Sequence, residues 1–329
     1  VRFSQDGTQV LGNDAYQAHS FDVGTGQELK GYSWGHVGKW AVAAVSPDQR
    51  LLASAARDGI FVWERSSERI VSAWTAMIHE NLVFSSDSQR LYSTSSGVVF
   101  EWDPESGSLL RQSGELSRSS LSRLAISPDG KSLLTGVSGQ EFFILSTATL
   151  EPTLRTPAVE WNIAYAVFSP DSASFVAGLS RDEIGVWDAR SGALTASFKI
   201  NTELGHTLFA AGGTRLVAEA GTDGLVFAWP ELTLLHRLQR HTAALSLTLA
   251  VDDQHVMSFG GDEGRIVLWD ISTGQPVSEG AMDYDFIPRI GLPAGMSIAV
   301  LKPSGNAFRI HCSQASPSGV PLSDFGVPR

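Results

Sequence analysis

The sequence predicts an all-β protein built from repeats of four short strands. The first observation is a tight turn that recurs in steps of 42, 39, 42, 42, 41, 40 and 42 residues. Its first residues are Ser4, Ser46, Ser85, Ser127, Ser169, Ala210, Ala250 and Leu292. The second observation is that Gly, Pro or Ser interrupts every window with helical spacing, so evenly spaced strands are favoured. Four strands per repeat are typical of a β-propeller, so we expect eight four-stranded blades, or seven if the last unit packs differently.

The second unit shows how the four strands are derived. Residues 40–45 form an apolar run that leads into the first turn, and residues 51–54 follow that turn. Arg57, Asp58 and Gly59 then predict a second turn, because Asp caps its own backbone and Gly adopts positive φ. Residues 60–63 and 69–74 predict the third and fourth strands.

The repeat divides the chain without a remainder, so we expect one β-propeller domain over residues 1–329. The predicted units are 1–33, 34–74, 75–114, 115–156, 157–199, 200–239, 240–281 and 282–329. Because the chain begins Val1-Arg2 without an initiator Met, we expect it to be part of a longer protein.

Composition excludes several classes of partner. A formal net charge of −11 supplies no basic surplus for a nucleic-acid backbone. No apolar stretch reaches the roughly 18 residues of a spanning helix, so we expect no membrane partner. Cys312 is the single cysteine, which excludes an intramolecular disulfide and fits a reducing, cytoplasmic compartment.

A dipeptide pattern links the units to a known family. Trp-Asp ends the third predicted strand at Trp102, Trp187 and Trp269, and a turn containing Ser or Thr followed by Gly comes next. Trp63-Glu64, Trp229-Pro230 and Phe21-Asp22 are variants of the same position. Over essentially the whole chain this pattern resembles the WD-repeat β-propeller family.

The resemblance implies a hydrogen-bonded set of His, Ser or Thr, Asp and Trp within each blade. Two units carry all four residues: His36, Ser54, Asp58 and Trp63 in one, and His241, Ser258, Asp262 and Trp269 in the other. Elsewhere the set is eroded around Trp102, Asp182, Trp187, Asp223 and Trp229, where Gly97 replaces Asp and where Gly178 and Glu219 replace Ser. We expect these residues to be structural, since buried polar groups must be paired.

The sequence offers little material for catalysis. The eight histidines include none at His-x₃-His or His-Glu-x-x-His spacing. We therefore expect no enzyme activity, no cofactor and no metal. A propeller enzyme or small-ligand-binding protein that uses the central channel is the alternative.

A binding role has better candidates. In the family, the loops before each first strand and between the second and third strands lie on one face. The residues that map to this rim are Trp34, Trp40, Arg57, Trp74, Glu160, Trp161, Arg181 and Arg240. Trp and Arg dominate interface hot spots, although each Trp could instead fill a gap between blades. We expect a non-catalytic scaffold or sensor module that docks another protein or a flanking domain of the same chain. The sequence does not distinguish this docking role from a purely structural role in a large assembly.

Overall fold

A computed structural model describes the strands and most of the turns of the chain. The described residues are 2–3, 9–13, 17–22, 28–33, 42–56, 59–67, 69–74, 80–137, 141–156, 166–242, 245–249, 254–260, 265–281, 299–301 and 307–309. Over these ranges the backbone forms strands and turns without a helix, which confirms the all-β class. It follows that none of these residues belongs to a helix able to cross a membrane.

The chain divides into two compact units. We call Trp34–Thr207 the central unit, and Val1–Ser33 together with Leu208–Arg329 the terminal unit. The prediction of a single domain stays a prediction.

The central unit contains four antiparallel sheets, each with its strands in chain order. The first sheet is formed by β5 (Val42–Val45), β6 (Leu51–Ala56), β7 (Gly59–Glu64) and β8 (Ile70–Trp74). The second is formed by β9 (Asn81–Phe84), β10 (Leu91–Ser95), β11 (Val98–Trp102) and β12 (Leu109–Gln112). The third is formed by β13 (Ser122–Ile126), β14 (Ser132–Gly136), β15 (Phe142–Ser146) and β16 (Pro152–Arg155). The fourth is formed by β17 (Val167–Phe168), β18 (Ser174–Ser180), β19 (Glu183–Asp188) and β20 (Leu194–Lys199).

The remaining strands form three more four-stranded sheets and one hairpin. The first sheet is formed by β1 (Arg2–Phe3), β2 (Gln9–Asn13), β3 (Gln17–Asp22) and β4 (Glu28–Ser33). The second is formed by β21 (Leu204–Ala210), β22 (Arg215–Ala220), β23 (Asp223–Ala228) and β24 (Thr233–Gln239). The third is formed by β25 (Leu245–Leu249), β26 (His255–Gly260), β27 (Arg265–Asp270) and β28 (Gln275–Ala281). The hairpin is β29 (Ala299–Leu301) with β30 (Ala307–Arg309).

The repeat is confirmed, but the closed propeller is wrong. Each of the first seven predicted units forms one four-stranded sheet, whereas the described part of the eighth forms only two strands. Among the described strands no closed propeller is found, with either eight or seven blades. The physical reason is that closure depends on the terminal units, and the eighth has neither the Trp nor the Asp of the others.

Neighbouring sheets of the central unit pack through apolar layers. One layer includes Leu51, Ile60, Phe84, Phe100 and Trp102, which come from the first two sheets and are all nearly inaccessible to solvent. Comparable layers join the second sheet to the third and the third to the fourth. This packing supplies the burial that a single four-stranded sheet lacks.

The fourth strand of a sheet carries a β-bulge at a repeated position. In the second sheet of the central unit, Trp102 pairs with Leu109 and Glu101 pairs with Arg111, which leaves Leu110 as the extra residue. The same shift occurs in the sheets that contain Ser20, Val62, Ile144, Val186, Val226 and Leu268. Since each fourth strand is an edge strand, the bulge interrupts the edge and opposes pairing with another chain.

Candidate partner-binding face

The recurrent first turn is closed by its own side chains. In the turn that begins at Ser85, the Ser85 hydroxyl donates to Asp87 Oδ1 at 2.5 Å and accepts the Arg90 amide at 2.9 Å. Asp87 Oδ1 also accepts the Gln89 amide, and Ser88 adopts φ of +64°. Turns that begin at Ser46, Ser127 and Ser169 have the same hydroxyl–carboxylate bond at 2.5–2.6 Å. The repeated sequence therefore encodes a locally satisfied turn rather than a binding loop.

These hydrogen bonds change the acidity of the turn carboxyl groups. The Ser85 hydroxyl, followed by the Gln89 amide, lowers the pKa of Asp87. The Ser127 hydroxyl lowers the pKa of Asp129, and the Ser169 hydroxyl that of Asp171, in the same way. The cause is that a donor stabilises the charged carboxylate more than the neutral acid.

The Asp that follows the third-strand Trp caps the second repeated turn. Asp270 Oδ1 accepts the Ser272 amide at 2.8 Å and the Thr273 amide at 3.0 Å. The Gly274 amide donates to the Asp270 carbonyl, and Gly274 has φ of +69°. Equivalent turns follow Asp103 and Asp188. The Trp-Asp pattern thus marks the end of a strand, where an Asx turn begins.

The fourth strands β8 and β24 contact the capped turn of the next sheet. Ser72 Oγ on β8 donates to the Pro104 carbonyl at 2.6 Å, and the Trp74 ring covers Gly107. Within the terminal unit, His236 on β24 lies 3.0 Å from the Ser272 carbonyl and covers Gly274. A Cβ at Gly107 would come within 2.7 Å of the Trp74 ring, so this turn requires glycine for close approach as well as for its φ.

Three of the four residues that the resemblance implies contact one another around Trp269. Ser258 Oγ accepts the indole N–H of Trp269 at 2.7 Å and lies 2.7 Å from Nε2 of His241. All three side chains are buried. Asp262, the fourth predicted member, lies outside the described residues, as do His36 and Asp58 of the other complete set. In that other set Ser54 and Trp63 are both buried, and Trp63 stacks on Phe61 at 5.7 Å.

Where the set is eroded, the tryptophans are held in other ways. Trp102 donates to Ser93 Oγ at 2.8 Å, a partner that the sequence analysis missed because the unit lacks the His and Asp. Trp187 stacks on Phe175 at 5.3 Å and contacts Phe142 edge-on at the same distance. Trp229 meets Phe209 edge-on at 4.9 Å. Ser93 has the expected spacing before its Trp, which is the signal that would have identified it.

The two aspartates predicted beside these tryptophans have different partners. Asp182 accepts the hydroxyl of Ser180 at 2.9 Å. Asp223 accepts the Gln239 amide at 2.8 Å and lies 3.6 Å from Arg237. Glu219, which stands at the Ser position, is buried and accepts the Leu247 amide at 2.6 Å. These carboxylates therefore stabilise turns and sheet contacts in the terminal and central units.

The predicted rim is only partly described. Trp34, Trp40, Arg57, Glu160 and Trp161 lie outside the described residues. Trp74 is half-buried, and its ring lies 5.1 Å from the ring of Trp102. Trp74 therefore fills a gap between two neighbouring sheets, which was the alternative to a docking role for each Trp.

Arg181 and Arg240 are exposed and each pairs with a glutamate. Arg181, in the turn between β18 and β19, lies 3.0 Å from Glu203, and the two side chains are 67% and 59% exposed. Arg240, directly after β24, lies 3.0 Å from Glu279. The sequence analysis missed both glutamates because they are 22 and 39 residues away along the chain. In high dielectric such pairs stabilise the fold little, so both arginines are available to a partner at small cost.

The described part of the chain contains no candidate metal site. No group of three or more His, Cys, Asp or Glu side chains in these ranges could hold a metal ion.

Comparison with known proteins identifies a fold but not a family. No family model matches the chain. The chain is similar to the crystal structure of the computationally designed Ika8 protein, with a TM-score of 0.71 and 22% sequence identity over 85% of each chain. At this identity the likeness shows the fold alone.

Proposed function

We propose that the chain is a non-catalytic protein-interaction scaffold or sensor module, built from WD-type repeats, that docks a partner on one face. The partner is another protein or a flanking domain of the same longer chain. The docking face consists of the loops before the first strands together with the turns between the second and third strands. The exposed Arg181 in its tight turn is the single observation that carries this proposal.

The first support is that the repeated polar residues are used internally. The Ser–Asp turns, the Asx turns after Trp102, Trp187 and Trp269, and the Ser258 network hold sheets and turns in place. Because these polar groups are satisfied within the sheets, the exposed connecting turns are the places where binding residues are usually found.

The second support is the character of the exposed residues on the proposed face. Arg181 presents a guanidinium group whose partner, Glu203, is also largely exposed. If a carboxylate of the partner replaces the glutamate beside the arginine, the released glutamate remains in solvent. No buried charge is therefore left unpaired. Arginine and tryptophan are the residue types enriched at interface hot spots.

The test compares opposite ends of one strand. Arg181 precedes β19 and Arg190 follows it, and both are exposed. We expect Arg181→Ala, and the triple variant of Trp40, Arg57 and Trp161, to lose a partner that the wild type and Arg190→Ala both retain in cross-linked affinity capture. Melting temperatures of the Arg181 and Arg190 variants should agree with the wild type. Equal retention by Arg181→Ala and by the triple variant would refute the proposed face.

A further inference from the structure

The connection between β12 and β13 carries a cluster of hydroxyl groups next to an incompletely paired carboxylate. Residues 113–121 contain no strand, and Leu116 and Leu121 anchor them in the core at 7% and 2% exposure. Between these anchors Arg118, Ser119 and Ser120 are exposed. The segment is therefore fixed at two points and accessible between them.

Two side chains at the start of β9 hold the end of this segment. Glu80 Oε1 accepts the Ser120 hydroxyl at 2.5 Å, and the neighbouring Asn81 donates to the Leu121 carbonyl at 3.0 Å. We call this pair of contacts the Glu80–Ser120 clasp. It joins the second sheet of the central unit to the third.

The carboxylate of the clasp is poorly satisfied. Glu80 Oε2 is buried and has no hydrogen-bond partner among the described residues. A buried carboxylate oxygen without a donor is destabilising, so the hydroxyl of Ser120 is an important hydrogen-bond donor to Glu80. Replacing that donor by an anion would reverse the sign of the interaction.

We propose that Ser120 is a phosphorylation site and that its modification opens the Glu80–Ser120 clasp. The Ser120 oxygen attacks the γ-phosphorus of a nucleoside triphosphate; the new O–P bond forms as the bond to the β-phosphate oxygen breaks. The nucleoside diphosphate leaves and the hydroxyl proton is released. Arg118 lies two residues before Ser120, which suits a kinase that reads arginine on the N-terminal side.

The effect of the phosphate follows from charge. Phosphoserine carries about −1.5 to −2 charges at neutral pH, and it would stand against the Glu80 carboxylate. Like charges at this separation repel, so the clasp would open and the exposed residues 118–120 would move away from Glu80. Ser119 is an internal control, because it is exposed and its backbone amide bonds to Ser117 rather than to Glu80.

The modification is tested on the full chain with an arginine-directed serine/threonine kinase domain, ATP and Mg²⁺. We expect fragment mass spectra to place the phosphate on Ser120, with none on this segment in Ser120→Ala. Amide exchange over residues 113–121 should become faster by about tenfold or more in the phosphorylated protein. An unmodified Ser120, or a phosphorylated Ser120 with unchanged exchange, would overturn the proposal.

The electrostatic mechanism has its own test that needs no kinase. Ser120→Asp should accelerate exchange over residues 113–121, whereas Ser119→Asp should not. Adding Glu80→Gln to Ser120→Asp removes one of the two like charges and should restore most of the protection. If Ser120→Asp and the double variant exchange equally fast, repulsion from Glu80 is not the cause and the switch is refuted.

Discussion

Ser258 accepts the indole N–H of Trp269 at 2.7 Å, in a site where neither side chain is more than 2% exposed. His241 lies against the same hydroxyl, so one serine satisfies groups from two other elements. The indole supplies most of the buried apolar area, and the serine supplies the geometry. This difference in role leads to the first prediction.

Trp269→Ala should cost about 3–5 kcal/mol in the free energy of unfolding, because it leaves a large cavity. Ser258→Ala should cost about 1–3 kcal/mol, since it removes little area but leaves buried polar groups unpaired. Urea melts of the two variants and the wild type measure both losses. A loss for Ser258→Ala equal to or larger than that for Trp269→Ala would contradict this ranking.

Gly185→Ala should destabilise the fourth sheet of the central unit by about 1–3 kcal/mol through overpacking. A Cβ at this position would lie 2.4 Å from the ring of Trp187, which Phe175 and Phe142 hold in place. Gly114→Ala is the matched control, because nothing lies within 4 Å of its added Cβ. Equal melting temperatures for the two variants would mean that the Trp187 ring moves aside without cost, which would contradict the prediction.

Stability should fall in acid through the capped turns. The folded pKa of Asp87 lies below its unfolded value, so its contribution is fully present above about pH 3.9 and is lost as pH falls through the folded pKa. Asp87→Asn should therefore be less stable than the wild type at neutral pH, and the difference should shrink below about pH 4. Denaturant melts across this range provide the measurement, and a difference that does not vary with pH would exclude the carboxylate as its source.

Ser88→Ala should loosen the link between the first two sheets of the central unit. Ser88 is 4% exposed, and its Oγ accepts the Asp48 amide at 3.0 Å. We expect a loss of about 0.5–1.5 kcal/mol, the usual net value of one hydrogen bond. The exposed neighbour Ser86 serves as control, and Ser86→Ala should change stability by less than about 0.5 kcal/mol. Equal chemical-denaturation midpoints for both variants would refute the link.

Local patterns predicted the sheets because each pattern has a local physical cause. The turn beginning at Ser85 closes on itself within six residues, and the Asp270 turn within five. Strands between such turns pair with their neighbours in chain order, so the repeat length was enough to place seven four-stranded sheets. The Ser258–Trp269 contact was implied by the family resemblance, and it joins residues on adjacent strands of one sheet.

The candidate face was harder to predict because its contacts are remote in sequence. Trp74 was a candidate for docking, yet its ring packs on Trp102 and Gly107 of the next sheet. Arg181 lies in an exposed turn, and its partner Glu203, 22 residues away, had no local signal. Ring closure failed as a prediction for the same reason, since it depends on packing between units that have diverged most.

The sequence by itself determined the all-β class, the period of the repeat and the turns that separate the strands, because those depend on hydrogen bonds between near neighbours. Only the tertiary structure decided which tryptophans fill gaps, which carboxylates meet which arginines and that Glu80 faces Ser120. Those contacts join residues up to 40 positions apart, where side-chain packing between sheets rather than backbone preference sets the distance.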